Sequence, residues 1–379
     1  MKIYNKLQAC LLYTLLSTLL VACGGGGSNT SAPSAGPETL RSFANPQVTT
    51  ISSLISNMVG NPAMGPGGKL YLPTYNSIQV FNSVPTMDTT LSNADIKNIG
   101  LTGALAGGGL NSIAFSGEKM IVAAGNSVMI WNTAPTSQDT SPDVVLTRTS
   151  VDYLSLSCPY SYIQEAQGVK VLGGNLVVAD SGHNRILIYN GIPTSNTALP
   201  ADLPAVVLGD SSLCPDTTAA SPTASTLNYP VDIAYDGEHL IVADTYNNRL
   251  LMWATTDLLS LTPGQPAAIV LGQSDFVSIS TASMYRPYAL STFKHLSGTR
   301  LAVLDTPAVG SPTDRIRIWD TVPTCTDNFC VAPIGTPIAL SPGTSYGLAF
   351  TGLNQLIVNE EYSDGSKINP RRFSIFNAP

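Results

Sequence analysis

Charge is what this sequence has least of. Asp, Glu, Lys and Arg make up 11% of its 379 residues, against roughly 25% in an ordinary soluble protein, and no stretch gathers the cations into a basic stripe. With nothing to meet a run of phosphates, a nucleic-acid partner is not expected. Histidine occurs three times, as His183, His239 and His295. These fall in separate turns, two toward one end of the repeat and one toward the other, and do not converge on a zinc ion. A nucleophile elbow, a phosphate loop and a pair of catalytic carboxylates are also missing. No helical period competes with the strand patterns, which excludes a helix-rich fold.

What is present in quantity is Gly, at 32, and Pro, at 27, together with Ser, Thr and Asn. That composition suits an exported β-protein. The N-terminus reads MKIYNK, then an apolar run from Leu7 to Ala22, then Cys23, which is the layout of an export signal. Leu20-Val21-Ala22-Cys23 resembles the lipobox of bacterial lipoproteins. The resemblance implies a signal peptide over 1–22, cleavage before Cys23 and a lipid on Cys23 that holds the chain to a membrane. Gly24 stands where an Asp would favour retention at the inner membrane, so the expected address is the outer membrane of the bacterial cell envelope. Losing Lys2 and Lys6 with the signal takes the formal charge from −7 to −9.

Residues 23–39 are rich in Gly, Ser and Pro and cannot bury apolar surface, so a flexible tether is expected there. The folded domain is expected over 40–379. Cys10 leaves with the signal and Cys23 takes the lipid, which leaves Cys158, Cys214, Cys325 and Cys330 in an oxidising compartment. Four cysteines suggest two disulfides with three possible connectivities. The favoured one joins Cys325 to Cys330 and Cys158 to Cys214.

The chain repeats itself. LIVADTYNNRLLMW, from Leu240 to Trp253, returns as LVVADSGHNRILIY at Leu176 and, with an insertion, as LAVLDTPAVGSPTDRIRIW at Leu301. Fainter copies begin at Leu70, Met120 and Leu356. The closing aromatics are Phe81, Trp131, Tyr189, Trp253, Trp319 and Phe376, and similar turns follow most of them, as in FNSVPT, WNTAPT and WDTVPT. Each unit resolves into four short strand candidates, which in the fourth are PVDIAYDG, HLIVADTY, NRLLMW and PAAIVLG, jointed by Gly, Asn, Asp or Pro. Four-stranded units at this period predict an all-β, six-bladed β-propeller. The pattern Pro-x-x-Ile-Ala, Asp-Gly, Leu-Ile-Val-Ala-Asp-Thr, Asn-Asn-Arg resembles the NHL repeat, and the resemblance implies the same six-bladed ring. The sixth unit ends after its third strand, so Pro46 to Leu54 is expected to complete the last blade and close the ring.

Six units serve as their own alignment. Asp180 with Arg185, Asp244 with Arg249, Asp305 with Arg315 and Glu360 with Arg372 recur as pairs, while the first two units lack both members. A catalytic group would occur once, so the pairs read as a structural hairpin device, modest in strength if exposed. The inner-strand column is read as Met64, Ile113, Val169, Ile233, Leu290 and Leu348, flanked by small residues. Lys170 and Asp232 interrupt it in adjacent units, either as a pair between blades or as a site facing the channel. Tyr229, Arg286, Tyr288 and Tyr346 stand at the strand entrances, residue types suited to gripping a ligand.

These residues, with Lys170 and Asp232, are the candidate ligand-binding set. They point to a monomeric, lipid-anchored module that binds an envelope protein, peptide or glycan without catalysis. The alternative is a lyase or lactonase-like hydrolase using a metal at the axial opening, with Asp232 and Asn111 as ligands. No cofactor is expected on the first reading; on the second, calcium suits such oxygen ligands better than zinc.

Overall fold

The computed structural model describes residues 40–51, 59–75, 77–85, 96–100, 109–137, 140–147, 163–195, 203–210, 218–281, 283–306, 313–324, 337–340, 343–352, 354–363 and 368–378. For 50, 51, 96–100, 343, 344, 361–363 and 368–372 it describes the backbone alone. Cys23, Cys158, Cys214, Cys325 and Cys330, with both expected disulfides, lie outside the described residues.

Six four-stranded antiparallel sheets form the blades. Their inner strands are Ala63–Met64, Leu110–Ser116, Ala166–Leu172, Pro230–Tyr235, Ala289–His295 and Gly343–Gly352. Each packs against the inner strand of the next, and the sixth packs against the first, so the sheets make a closed ring. Among the described residues no helix is long and apolar enough to cross a membrane. We call the face on which the inner strands begin the upper face.

The ring closes as the sequence predicts. Gln47–Ile51 pairs antiparallel with Ile368–Asn377, from Gln47 opposite Asn377 to Ile51 opposite Phe373, and supplies the outer strand of blade 6. Leading into it at the lower face, Phe43 is buried edge-on to Phe350 at 6.3 Å, with the Arg300 guanidinium 4.9 Å from its ring centre.

The repeated aromatics have a local cause. Trp131 and Trp253 sit buried on the third strands of blades 2 and 4, and their indole N–H groups donate to Thr140 O at 2.9 Å and Gln265 O at 2.8 Å. One side chain thus fills the space between blades and pins the turn that follows.

The inner-strand column needs one correction. Met64 pairs with Leu70, the counterpart of the Phe115–Met120 pair, so Met64 matches Phe115 and not Ile113. The turn at Gly65–Gly68 shortens the inner strand of blade 1 and shifts its apparent alignment by two. Pro62 therefore stands where the other blades place Ile113, Val169 and Ile233.

The acid–arginine pairs are deeper than surface pairs. Asp180, Arg185, Asp244 and Arg249 are each 0% exposed. Asp180 Oδ2 accepts from Arg185 Nε at 2.8 Å and Asp244 Oδ2 from Arg249 Nε at 2.7 Å, while the Oδ1 atoms accept the backbone N–H of Gln164 and Asn228 at 2.7 Å. The pairs are not exposed, because the turn folds inward against its own blade's entry segment, at Gln164 and Asn228, and against that of the next blade, at Pro230 and Pro287. Asp305 faces Arg315 and also Arg317, which the repeat did not reveal. Glu360 stands opposite Arg372 in register and accepts a bond from Ser374 Oγ, and the side chain of Arg372 lies outside the described residues.

The histidines are turn residues, as read, though two are buried and not on the surface. His183 meets Asp180 at 2.9 Å and takes the place of Asn247 in blade 4, and His239 meets Asp236 at 3.0 Å.

Candidate ligand-binding face

The inner strands carry a β-bulge in blades 2, 3, 4 and 6, between Leu110 and Ser112, Ala166 and Gly168, Pro230 and Ile233, and Ser345 and Gly347. A bulge re-aims the extra residue. Asn111, Gln167, Val231 and Tyr346 lie in those bulges and turn to the axis. With Gly60, Asn61, Tyr288 and Ser345 they line an axial mouth of about 270 Å³ on the upper face. Its chemistry is amide, hydroxyl and phenol.

Beside the mouth runs a ribbon over blades 3 to 5. The residue preceding the inner strand, or two positions further upstream in blade 5, adopts a left-handed backbone: Glu165 with φ 65°, Tyr229 with 53° and Arg286 with 47°. Such a conformation is costly for a side chain with a Cβ and persists only where the surroundings hold it. They do: the Oδ1 of Asn126, Asn184 and Asn248, each from the preceding blade, accepts the N–H of Glu165, Tyr229 and Arg286 at 3.0, 2.8 and 3.0 Å.

These three positions differ in side chain while sharing a backbone. The Tyr229 hydroxyl donates to Glu165, and Gln167 Nε2 bridges both at 3.1 and 3.3 Å. Burial and the neighbouring Glu165 carboxylate raise the Tyr229 phenol well above its usual range, so it keeps its proton. Its ring stacks on Tyr246, centroids 4.7 Å apart and 9° from parallel. Arg286 lies 5.3 Å from the Tyr246 ring centre and 5.3 Å from that of Tyr285. Tyr288 sits deeper, where burial and the adjacent Asp314 carboxylate push its phenol up.

Of the candidate set, the structure therefore brings Tyr229 and Arg286 together through Tyr246 and places Tyr288 and Tyr346 in the mouth. It pairs Lys170, partly exposed, with the fully buried Asp232. Lys170 Nζ lies 3.3 Å from Asp232 Oδ1, and Asp232 Oδ2 accepts the N–H of Leu290 at 2.7 Å, so one carboxylate ties blades 3, 4 and 5. Gly168 makes room for it, since a Cβ there would stand 2.6 Å from Val231 O. Asn111 likewise reaches across a blade boundary, its Nδ2 donating to Ala166 O at 2.8 Å.

Asp232 is fully buried, and burial pushes its carboxyl up against the pull of Lys170. A carboxyl raised in the folded state favours folding below its unfolded value and opposes it as pH rises. Lys170→Met removes the cation that offsets this, and should cost about 1–3 kcal/mol at neutral pH. Because its carboxyl is raised, and more so without Lys170, Asp232 takes up its proton in the folded protein above the ordinary aspartate value of about 3.9, so the deficit should shrink as pH falls toward 4. Urea midpoints across that range check it; a deficit independent of pH would mean that the lysine stem and not its charge is what matters.

Sequence reasoning missed Tyr246, Tyr285, Val277 and Ile279. Tyr246 has a legible signal, because it occupies the turn position that is Gly182 in blade 3. The backbone N–H of the two residues makes the same bond, to Asn228 O and Gln164 O. Val277 and Ile279 lie on the loop entering blade 5, which Asp275 and Gln273 hold by bonds to Val277 N, Ser278 N, Ser280 N and Ser280 O at 2.7–2.9 Å.

Residues 227–251 match the model of the NHL repeat, so the fourth blade carries that repeat. No curated protein matches the chain. Among solved structures, a protein of unknown function from Dyadobacter fermentans superposes with a TM-score of 0.52 at 10% identity, over 88% of this chain and 98% of that one. The likeness is one of fold. The PQQ-bound aldose sugar dehydrogenase of Streptomyces coelicolor gives 0.48 at 13% identity, over 88% and 98% of the chains. YCF48 bound to D1 peptide gives 0.47 at 7%, over 90% and 100%. At those scores the last two say nothing of chemistry or partners.

Proposed function

We propose that this NHL-repeat propeller, residues 40–379, is a non-catalytic binding module of the bacterial envelope. A lipid on Cys23 and a tether over 23–39 hold it to the outer membrane, and the upper face of blades 4 and 5 engages a polypeptide. One observation carries the reading. Of the seven large apolar side chains exposed among the described residues, Tyr75, Tyr246, Val277 and Ile279 are on the upper face, three of them around the Tyr229–Tyr246–Arg286 stack. Tyrosine and arginine on a rigid scaffold, flanked by exposed aliphatics, are the residue types that dominate protein interfaces.

The chain's entry point agrees with display. Arg41 N–H is bound by Asn354 Oδ1 at 2.9 Å in a lower-face turn, so the first described residues lie on the face opposite the stack. The hydrolytic alternative draws its ligands from Asp232 and Asn111, both of which are engaged between blades.

The test is photo-crosslinking in living cells from the full-length chain, with the probe at Tyr246 or at the lower-face Leu296. Polypeptide adducts are expected at 246 and not at 296. Adducts from 296 alone would overturn the choice of face, and glycan adducts the choice of partner. A stoichiometric metal in the purified chain, whose removal lowers the melting temperature, would revive the hydrolase.

A further inference from the structure

Among the described residues five of the seven arginine side chains are neutralised, and Arg41 and Arg286 are not. Arg185, Arg249, Arg300, Arg315 and Arg317 each meet an aspartate within 4.0 Å. Arg286 does not: among the described residues no carboxylate lies within ion-pair distance of it, and its side chain is exposed. It is nonetheless positioned. Its backbone is held left-handed by Asn248, and its guanidinium rests over the rings of Tyr246 and Tyr285. Asn248 Nδ2 also donates to Ile279 O at 3.3 Å. One side chain therefore fixes the cation and the loop that exposes Val277 at 65% and Ile279 at 57% as neighbours.

A guanidinium already ordered on aromatic faces loses little freedom on pairing, and its planar fork suits a carboxylate. The acids on this face are already engaged, Glu165 by Tyr229 and Asp275 by the N–H groups of Val277 and Ser278, and neither pairs with the guanidinium. We infer that Arg286 is the docking point for a side-chain carboxylate of the partner, with an adjacent apolar side chain lying on Val277 and Ile279. The inference rests on the reading of this face as a polypeptide-binding surface. It narrows the partner to a segment in which Asp or Glu neighbours an aliphatic or aromatic residue.

The experiment is selection of a random-peptide phage library on the full-length chain in detergent micelles, followed by titration of the enriched peptides made with amidated C-termini. Enriched peptides should carry Asp or Glu beside Leu, Ile, Val, Phe or Tyr. Arg286→Asn removes the cation with a residue that accepts a left-handed backbone, and should weaken binding on the order of tenfold. Arg286→Lys should fall between, because it keeps the charge without the fork. Changing the peptide acid to its amide should cost the same factor in the native protein and little in Arg286→Asn, since the two changes remove one interaction. Melting curves confirm that the variants are folded. Peptides that lose binding with Tyr246→Ala yet contain no acid, or bind Arg286→Asn undiminished, overturn the role of Arg286 and leave the face intact. If no peptide is enriched, or binding ignores Tyr246→Ala, both readings fall.

Discussion

Asp244→Ala is expected to lower stability by about 3–5 kcal/mol, the range for removing one partner of a buried ion pair. The size follows from what is left behind. Arg249 would remain fully buried with its Nε unpaired, since that atom donates to Asp244 Oδ2 at 2.7 Å. Its other donors reach Thr223 O and Thr226 O at 2.9 Å, and also Phe276 O, so the guanidinium cannot swing out to water without releasing the entry loops on both sides of the blade. Asn247 Nδ2 and the Asn228 N–H lose their acceptor as well. An exposed pair would lose about 1 kcal/mol or less, so an unfolding midpoint separates the two cases. Pairing Asp244→Ala with Arg249→Met should recover part of the loss, because the stranded charge is then gone. Failure to recover would place the cost in the carboxylate's backbone bonds.

Phe43→Ala should be almost as damaging, at about 3–5 kcal/mol. The ring is 1% exposed and packs between Phe350 and the Arg300 guanidinium. Arg300 in turn donates to Arg41 O at 2.6 Å and to Asp320 Oδ1 at 2.9 Å, so the phenylalanine is the apolar end of a lock on the segment that leads into Gln47–Ile51. That strand is the outer edge of blade 6, and its pairing joins the first described strand to the last, closing the ring beside the bond from Asn359 Nδ2 to Gly60 O at 2.9 Å. Losing the lock should expose the segment, so limited proteolysis should cut between 40 and 51 in the variant well before the native chain is nicked. Equal cleavage of both would show that strand pairing alone closes the ring.

The same Asn248 that shapes the proposed docking face illustrates how function and fold share residues here. In the fourth repeat it is one of several amides before Arg249, and nothing in its identity marks it. In the folded chain it joins a turn of blade 4 to the strand entrance of blade 5, and whatever residue follows at that entrance inherits a fixed direction.

By itself the sequence determined the ring. Strand alternation, a repeated closing aromatic and Gly or Asn at the turns are local signals, and six copies of a unit that cannot bury its own faces leave few ways to pack. The missing fourth strand of the last unit was equally legible, as a count. The acid–arginine pairs were legible as structure because they repeat, but their depth was not, since burial depends on how the entry segments on both sides of the blade lie over the turn. Tertiary structure alone decided the surface. Lys170 and Asp232 stood out as charges in an apolar column, yet the angle between blades turned them toward each other. Tyr229, Tyr246 and Arg286 are distant in sequence, and they meet because asparagines from preceding blades hold the backbones of Tyr229 and Arg286 in a conformation that no local preference would select.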